Sequence, residues 1–184
     1  MGGKPENIML SHGSAESIRA SIEAHIQPGV SLVCPELTYS DGADTARKNN
    51  VKVVTVPMGA KWSVDLEAMK KTVAGINGPV IVYFVNPNNP TSTIVNSKAL
   101  HDWIRSRPAN VFFVVDKAYA EYVRDPSFVS CKTLVDEGFD NLCVLKTFSK
   151  IFAMAGMRVG FTYAVPEVVK KVRAHVAYDI MINN

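Results

Sequence analysis

Short apolar runs alternate along the chain with segments in which apolar positions return at helical spacing. The runs at 30–34, 51–56, 80–85, 111–116, 142–146 and 160–164 are mostly rich in Val, Ile and Phe, which predicts strands. Between them, Ile18, Ile22 and Ile26 recur at fourth positions, and the stretches 64–71 and 99–104 also carry helical patterns. Pro166, followed by Glu167, Val168, Val169 and Val172, opens a last helix, because proline is tolerated in a first turn. Near-continuous apolar strands alternating with helices predict an α/β fold: a three-layer α-β-α sandwich around a mostly parallel sheet covered on both faces. No internal repeat, low-complexity stretch or charged linker interrupts the pattern, so residues 1–184 read as one domain.

Composition leaves this picture standing and removes some functions. Of the 184 residues, 47% are hydrophobic and 20% charged, ordinary values for a globular chain, and no apolar run approaches the length that spans a bilayer. The opening Met1-Gly2-Gly3-Lys4 has no hydrophobic signal segment, so secretion is not expected. Cys34, Cys131 and Cys143 stand far apart, and an odd count suits neither a disulfide framework nor a zinc site. They read as buried thiols in a reducing, cytoplasmic compartment. Twenty basic against seventeen acidic residues give a net charge of +3 with no basic block, so neither nucleic acid nor a membrane is an expected partner. His12, His25, His101 and His175 show no metal-ligand spacing, and no metal is expected.

Open sheets of this kind hold ligands in the loops after the carboxyl ends of their strands. Three polar segments fall there: Asn86-Pro87-Asn88-Asn89-Pro90-Thr91, Asp116-Lys117-Ala118-Tyr119, and Thr147-Phe148-Ser149-Lys150. The three strand ends are expected to converge on one crevice. In the last segment an amine can form a Schiff base with an aldehyde, while Thr147, Ser149 and Arg158 can hold a phosphate by hydrogen bonds and charge. Pyridoxal phosphate carries both groups. His12-Gly13-Ser14-Ala15-Glu16-Ser17 leads into the first helix with Ser14 as N-cap, and such a helix start can also bind phosphate.

The neighbouring residues each have two readings. Asp116, at the mouth of an apolar strand, either caps a turn or pairs with a protonated pyridine nitrogen, the pairing that makes the pyridoxal ring an electron sink. Tyr119 either packs or reaches the ring's phenolic oxygen. The Asn86–Thr91 segment is a rigid turn in which each proline restricts the residue before it, and Asn89 could also donate to that oxygen. Tyr39, after another strand end, could stack on the ring or simply pack.

The ordered set Gly13-Ser14, Tyr39, Asn89-Pro90-Thr91, Asp116-Lys117-Ala118-Tyr119 and Thr147-Phe148-Ser149-Lys150 with Arg158 resembles the fold type I pyridoxal-phosphate enzymes. It is most similar to the class I/II aminotransferases, and among them to the histidinol-phosphate aminotransferase-like group. The resemblance implies Lys150 as Schiff-base lysine and proton shuttle, Asp116 as pyridinium partner, Asn89 and Tyr119 on the phenolic oxygen, and Tyr39 stacked on the ring. Gly13, Ser14 and Ala15 at the helix start would form a phosphate cup with Thr147, Ser149 and Arg158. It further implies pyridoxal 5'-phosphate as cofactor, an amino acid and a 2-oxo acid as small-molecule substrates, and a homodimer. A decarboxylase or lyase of the same fold, or a cofactor-binding domain without turnover, stands beside amino transfer.

Two positions depart from the family pattern: Ser92, where glycine is common, and Lys117, where an acidic residue is common. Little chain follows Lys150, and the phosphate loop comes almost at the start. Residues 1–184 are therefore expected to be the cofactor-binding large domain, with the amino-terminal segment and the carboxy-terminal small domain absent. Arg19, Arg124 and Arg173 read as solvated charges rather than carboxylate binders.

Overall fold

A computed structural model describes residues 3–176. Its frame is a seven-stranded sheet made of β1 (Ile8–His12), β2 (Ser31–Pro35), β3 (Lys52–Val56), β4 (Val80–Val85), β5 (Val111–Asp116), β6 (Leu142–Thr147) and β7 (Val159–Tyr163). The order across the sheet is β1-β7-β6-β5-β4-β2-β3. Strands β2 to β6 pair in parallel, whereas β7 runs antiparallel to both β6 and β1. Every residue of β2, β4 and β6 is buried, as expected for strands covered on both faces.

Helices supply the crossovers that parallel pairing requires. They are α1 (Gly13–Glu23), α2 (Asp41–Lys48), α3 (Leu66–Ala74), α4 (Ser97–Arg105), α5 (Lys132–Asp136) and, after β7, α6 (Pro166–Arg173). α1 packs against α2 and α6, and α3 packs against α4. The core runs through the sheet, from Met9, Ile18 and Ile22 beside β1 and α1 to Tyr83, Phe84, Phe113 and Leu100 at its centre. Cys34, Cys131 and Cys143 are all buried free thiols. Among the described residues no helix is long and apolar enough to cross a membrane.

The expected α/β architecture is present, and each predicted strand lies within a residue of its observed position. Capping sets the helix starts: Asp65 accepts a 2.9 Å hydrogen bond from Ala68 N–H, and Asn96 accepts one of 2.9 Å from Ala99 N–H. α3 therefore begins at Leu66, two residues later than predicted, and α4 at Ser97, two residues earlier. Ser14 is not the cap of α1. The helix already begins at Gly13, and Glu16 reaches back to accept hydrogen bonds of 2.8 Å from the His12 backbone N–H and 2.9 Å from its Nδ1.

Three elements lie outside the predicted set. β1 is short and pairs only with β7, and it buries Ser11 while exposing Leu10, so its polarity pattern is reversed at two positions. α2 buries Gly42, Ala43 and Ala46, small residues that leave no apolar stripe to read. A Cβ at Gly42 would stand 2.4 Å from the Tyr83 ring, so the small face is what admits the helix to the sheet. α5 is a five-residue turn that buries only Leu134 and Val135.

Candidate active site

The register of β4, β5 and β6 puts Val85, Asp116 and Leu145 in one row across the sheet, and the chain leaves the sheet just beyond that row on each strand. The strand exits are tied together by backbone hydrogen bonds: Asn86 N–H donates to Asp116 O at 2.9 Å, and Lys117 N–H to Leu145 O at 3.0 Å. The three polar segments therefore meet above one edge of the sheet, as the alternation of strands and helices implies.

They enclose a cavity of about 190 Å3. Its lining contains Ser14 and Ala15 from α1, Tyr39 from the loop after β2, Asn89 from the turn after β4, and Asp116 and Tyr119 from the end of β5. Thr147, Ser149, Lys150 and Arg158 complete it, together with Val85, Ala118 and Ala155. Of the predicted site residues, Gly13 alone is not in the lining. It has φ +74°, and a Cβ there would stand 2.7 Å from Arg158 Nη2, so its role is to let the guanidinium close over the helix start.

Asp116 is 2% exposed, and burial, the largest influence, pushes its carboxyl up to about 6. The Ala118 N–H, donating at 2.9 Å to Oδ1, opposes that shift, as do the charges of Lys150 and Lys146, while Asp41 reinforces it. A buried carboxyl held at such a value is poised to become fully ionised when a cation is placed beside it. Lys150 is exposed, and its Nζ lies 5.3 Å from the centroid of the Tyr119 ring. Tyr39, 38% exposed, is pushed up to about 12, first by burial and then by Asp41, so it presents a neutral ring to the cavity.

The opposite wall is built for an anion. Thr147 Oγ1 donates to Ser149 Oγ at 2.9 Å, and the Ser149 N–H donates to Thr147 Oγ1 at 3.1 Å, so the two hydroxyls stand side by side. Arg158, in the left-handed region at φ +50°, donates from Nη1 to Ala155 O at 3.2 Å and from Nη2 to His12 O at 3.4 Å. The first N–H groups of α1, which lack intrahelical acceptors, open onto the same wall.

Three contributors escaped the sequence reading. A Cβ at Gly160 would stand 2.6 Å from Gly13 C and 2.8 Å from both Ser14 N and Lys146 O, so β7 slides directly beneath the helix start only because that side chain is absent. Asn88, 2% exposed, donates to Leu37 O at 2.9 Å and to Thr91 Oγ1 at 2.8 Å, and accepts from Thr38 Oγ1 at 2.7 Å. It thereby fastens the Asn89 turn to the Tyr39 loop. Asp41, at the start of α2, acts on both Tyr39 and Asp116 by its charge. Only Gly160 left a readable trace, as a glycine opening a strand.

A second recess of about 610 Å3 adjoins the cavity and shares Asn89 and Tyr119 with it. Tyr122, Ile94 and Arg124 help to line it, so Arg124 is nearer the site than a purely solvated charge would be. Arg19 pairs with Glu16 and Glu23, and Arg173 donates to Ile8 O at 3.3 Å, which places both with other partners.

The mostly parallel sheet, with an amine, a buried carboxyl and anion-binding donors at its strand ends, has the architecture of the aminotransferase fold. The sequence profile of the family "Aminotransferase class I and II" matches residues 2–177, and the chain belongs to that family. It is 34% identical over 170 residues to a histidinol-phosphate aminotransferase of Moorella thermoacetica, covering 92% of this chain and 43% of that protein. The crystal structure of a putative histidinol-phosphate aminotransferase from Erwinia carotovora atroseptica superposes with a TM-score of 0.94 at 48% identity, over 96% of this chain and 51% of that one. That of histidinol-phosphate aminotransferase from Sinorhizobium meliloti in complex with pyridoxal-5'-phosphate gives 0.85 at 25% identity, over 97% and 48%. The chain thus spans about half the length of the relatives it matches.

Proposed function

We propose that the chain is the cofactor-binding large domain of a pyridoxal-phosphate-dependent aminotransferase, acting between an amino acid and a 2-oxo acid. One observation carries this reading: a single cavity gathers the Lys150 amine, the buried Asp116 carboxyl and the Ser149–Arg158 anion cup. The residues fit the cofactor. Gly160 leaves room for the helix start beside the cup, and Asp116 is a buried acid that lines the cavity, where burial outweighs the charges of Lys150 and Lys146. Pyridoxal 5'-phosphate supplies an aldehyde that condenses with amines and a ring that delocalises the electron pair left on a deprotonated carbon.

The chain's own residues do the rest. Ser14, Ala15, Thr147, Ser149 and Arg158 would hold the phosphate, with Gly13 giving Arg158 its approach. Asp116, once ionised, would accept a hydrogen bond from the protonated ring nitrogen and favour its charged form. Tyr39 would cover the ring, and Asn89 and Tyr119 would donate to its phenolic oxygen. Lys150 would supply the amine that holds the cofactor's aldehyde carbon and the base that moves a proton at the substrate's alpha carbon. The buried free thiols suit a cytoplasmic enzyme. Exposed Ile151, Met154 and Met157 beside the cavity suit a homodimer that covers them.

Adding pyridoxal 5'-phosphate to the chain is expected to produce a new visible absorbance band that Lys150→Ala abolishes. An unchanged band in the variant rejects Lys150 as the attachment point. Supplying an amino acid with a 2-oxo acid and following the new amino acid then tests transfer, while release of carbon dioxide instead would assign a decarboxylase.

A further inference from the structure

Lys146 is 0% exposed, the most deeply enclosed charged side chain among the described residues. None of the roles above uses it. It lies on β6 directly before Thr147, and its Nζ meets Oε1 of Glu121, whose side chain is 30% exposed. The same Nζ lies 5.4 Å from the centroid of the Phe152 ring. Glu121 belongs to the 3-10 turn Ala120–Tyr122 that follows Asp116 and Tyr119, while Phe152 belongs to the segment that follows Lys150. One ammonium therefore faces both the segment that follows β5 and the segment that follows β6. Burial first, and then the charge of Lys146, lower the amine of Lys117, the residue after Asp116, and Glu121 opposes that shift.

A buried ion pair is a poor source of stability, since apolar residues of similar volume often serve as well or better. What it fixes is geometry. An unpaired Lys146 charge inside the protein is costly, so Glu121 must stay within reach of β6, and Tyr119, two residues before Glu121, stays near Lys150. We propose that the Lys146–Glu121 ion pair is a positioning device, holding the segment of Asp116 and Tyr119 at a set distance from the segment of Thr147, Ser149 and Lys150. Its effect on cofactor affinity rests on the functional reading above; the coupling of the two segments does not.

The test uses the full chain with Lys146→Met, Glu121→Gln and the apolar pair Lys146→Met/Glu121→Leu. Two quantities are measured: amide hydrogen exchange without ligand, and the dissociation constant for pyridoxal 5'-phosphate from its absorbance. Each single substitution is expected to speed exchange in both 117–122 and 147–152, and to weaken cofactor binding about tenfold or more. The apolar pair is expected to restore the melting temperature while leaving the affinity low, a split that a purely structural pair does not produce. Faster exchange confined to the substituted segment overturns the proposal, as does an apolar pair that binds as tightly as the original chain. If the single variants do not fold, the apolar pair decides alone. If the original chain gives no absorbance band, the cofactor reading fails, and the exchange data still decide the coupling.

Discussion

Asp116 shows how one residue can carry both a site and a stability signature. Its carboxyl stands near 6 in the folded chain because burial disfavours the charge, against about 4 in an unfolded chain. The folded state therefore binds this proton more tightly, so the stability it gives is full below about pH 4 and is lost as pH rises through about 6, a change of about 3 kcal/mol. Other carboxylates impose the opposite slope on acidification, so the difference between variants is the clean measure. Urea unfolding of Asp116→Asn against the original chain, from pH 4 to 7, is expected to show the variant gaining relative stability as pH rises. A constant difference across that range rejects the raised value. Ser92 makes a smaller point at the same scale: it adopts φ +57°, in the left-handed region that favours glycine, so the backbone asks for glycine and the sequence supplies serine.

Among the elements, the crossing of β7 beneath the start of α1 governs the anion cup. The nearest atoms around Gly160 all belong to backbone, at 2.6 to 2.8 Å from where an added methyl would stand, and backbone cannot rotate aside. Gly160→Ala is expected to destabilise the chain by about 1–3 kcal/mol in equilibrium unfolding, the ordinary cost of overpacking. It is also expected to weaken pyridoxal 5'-phosphate binding, since Gly13 and Ser14, at the helix start beside Arg158, must shift to accept the methyl. Unchanged affinity with reduced stability would separate the strand's packing from the cup. β1 and α2 carry a related lesson. β1 buries Ser11 beside Met9 while α2 buries only Gly42, Ala43 and Ala46, so neither has an apolar run to advertise an element, and their places follow from neighbours rather than from their own sequence.

For the whole molecule, the cavity has walls from five segments distant in sequence, so a ligand that binds across it should stabilise the fold itself. At a free concentration one hundred times the dissociation constant, pyridoxal 5'-phosphate is expected to add about 2.7 kcal/mol of stability. Calorimetric melting with and without the cofactor checks this, and Lys150→Ala should retain part of the gain through the phosphate contacts. An identical melting temperature in both conditions would argue that the cavity does not bind the cofactor in this chain.

The α/β alternation, most strand positions and the grouping of Asn89, Asp116 and Lys150 at strand ends were legible in the sequence, because apolar periodicity reports burial and strand ends follow from it. The reversed direction of β7, the edge position of β1, the seat made by Gly160 and the meeting of Lys146 with Glu121 were decided only by the tertiary structure. Each depends on contacts between residues remote in sequence, and the distance between two remote backbones or two buried charges leaves no periodic trace in the chain that creates it.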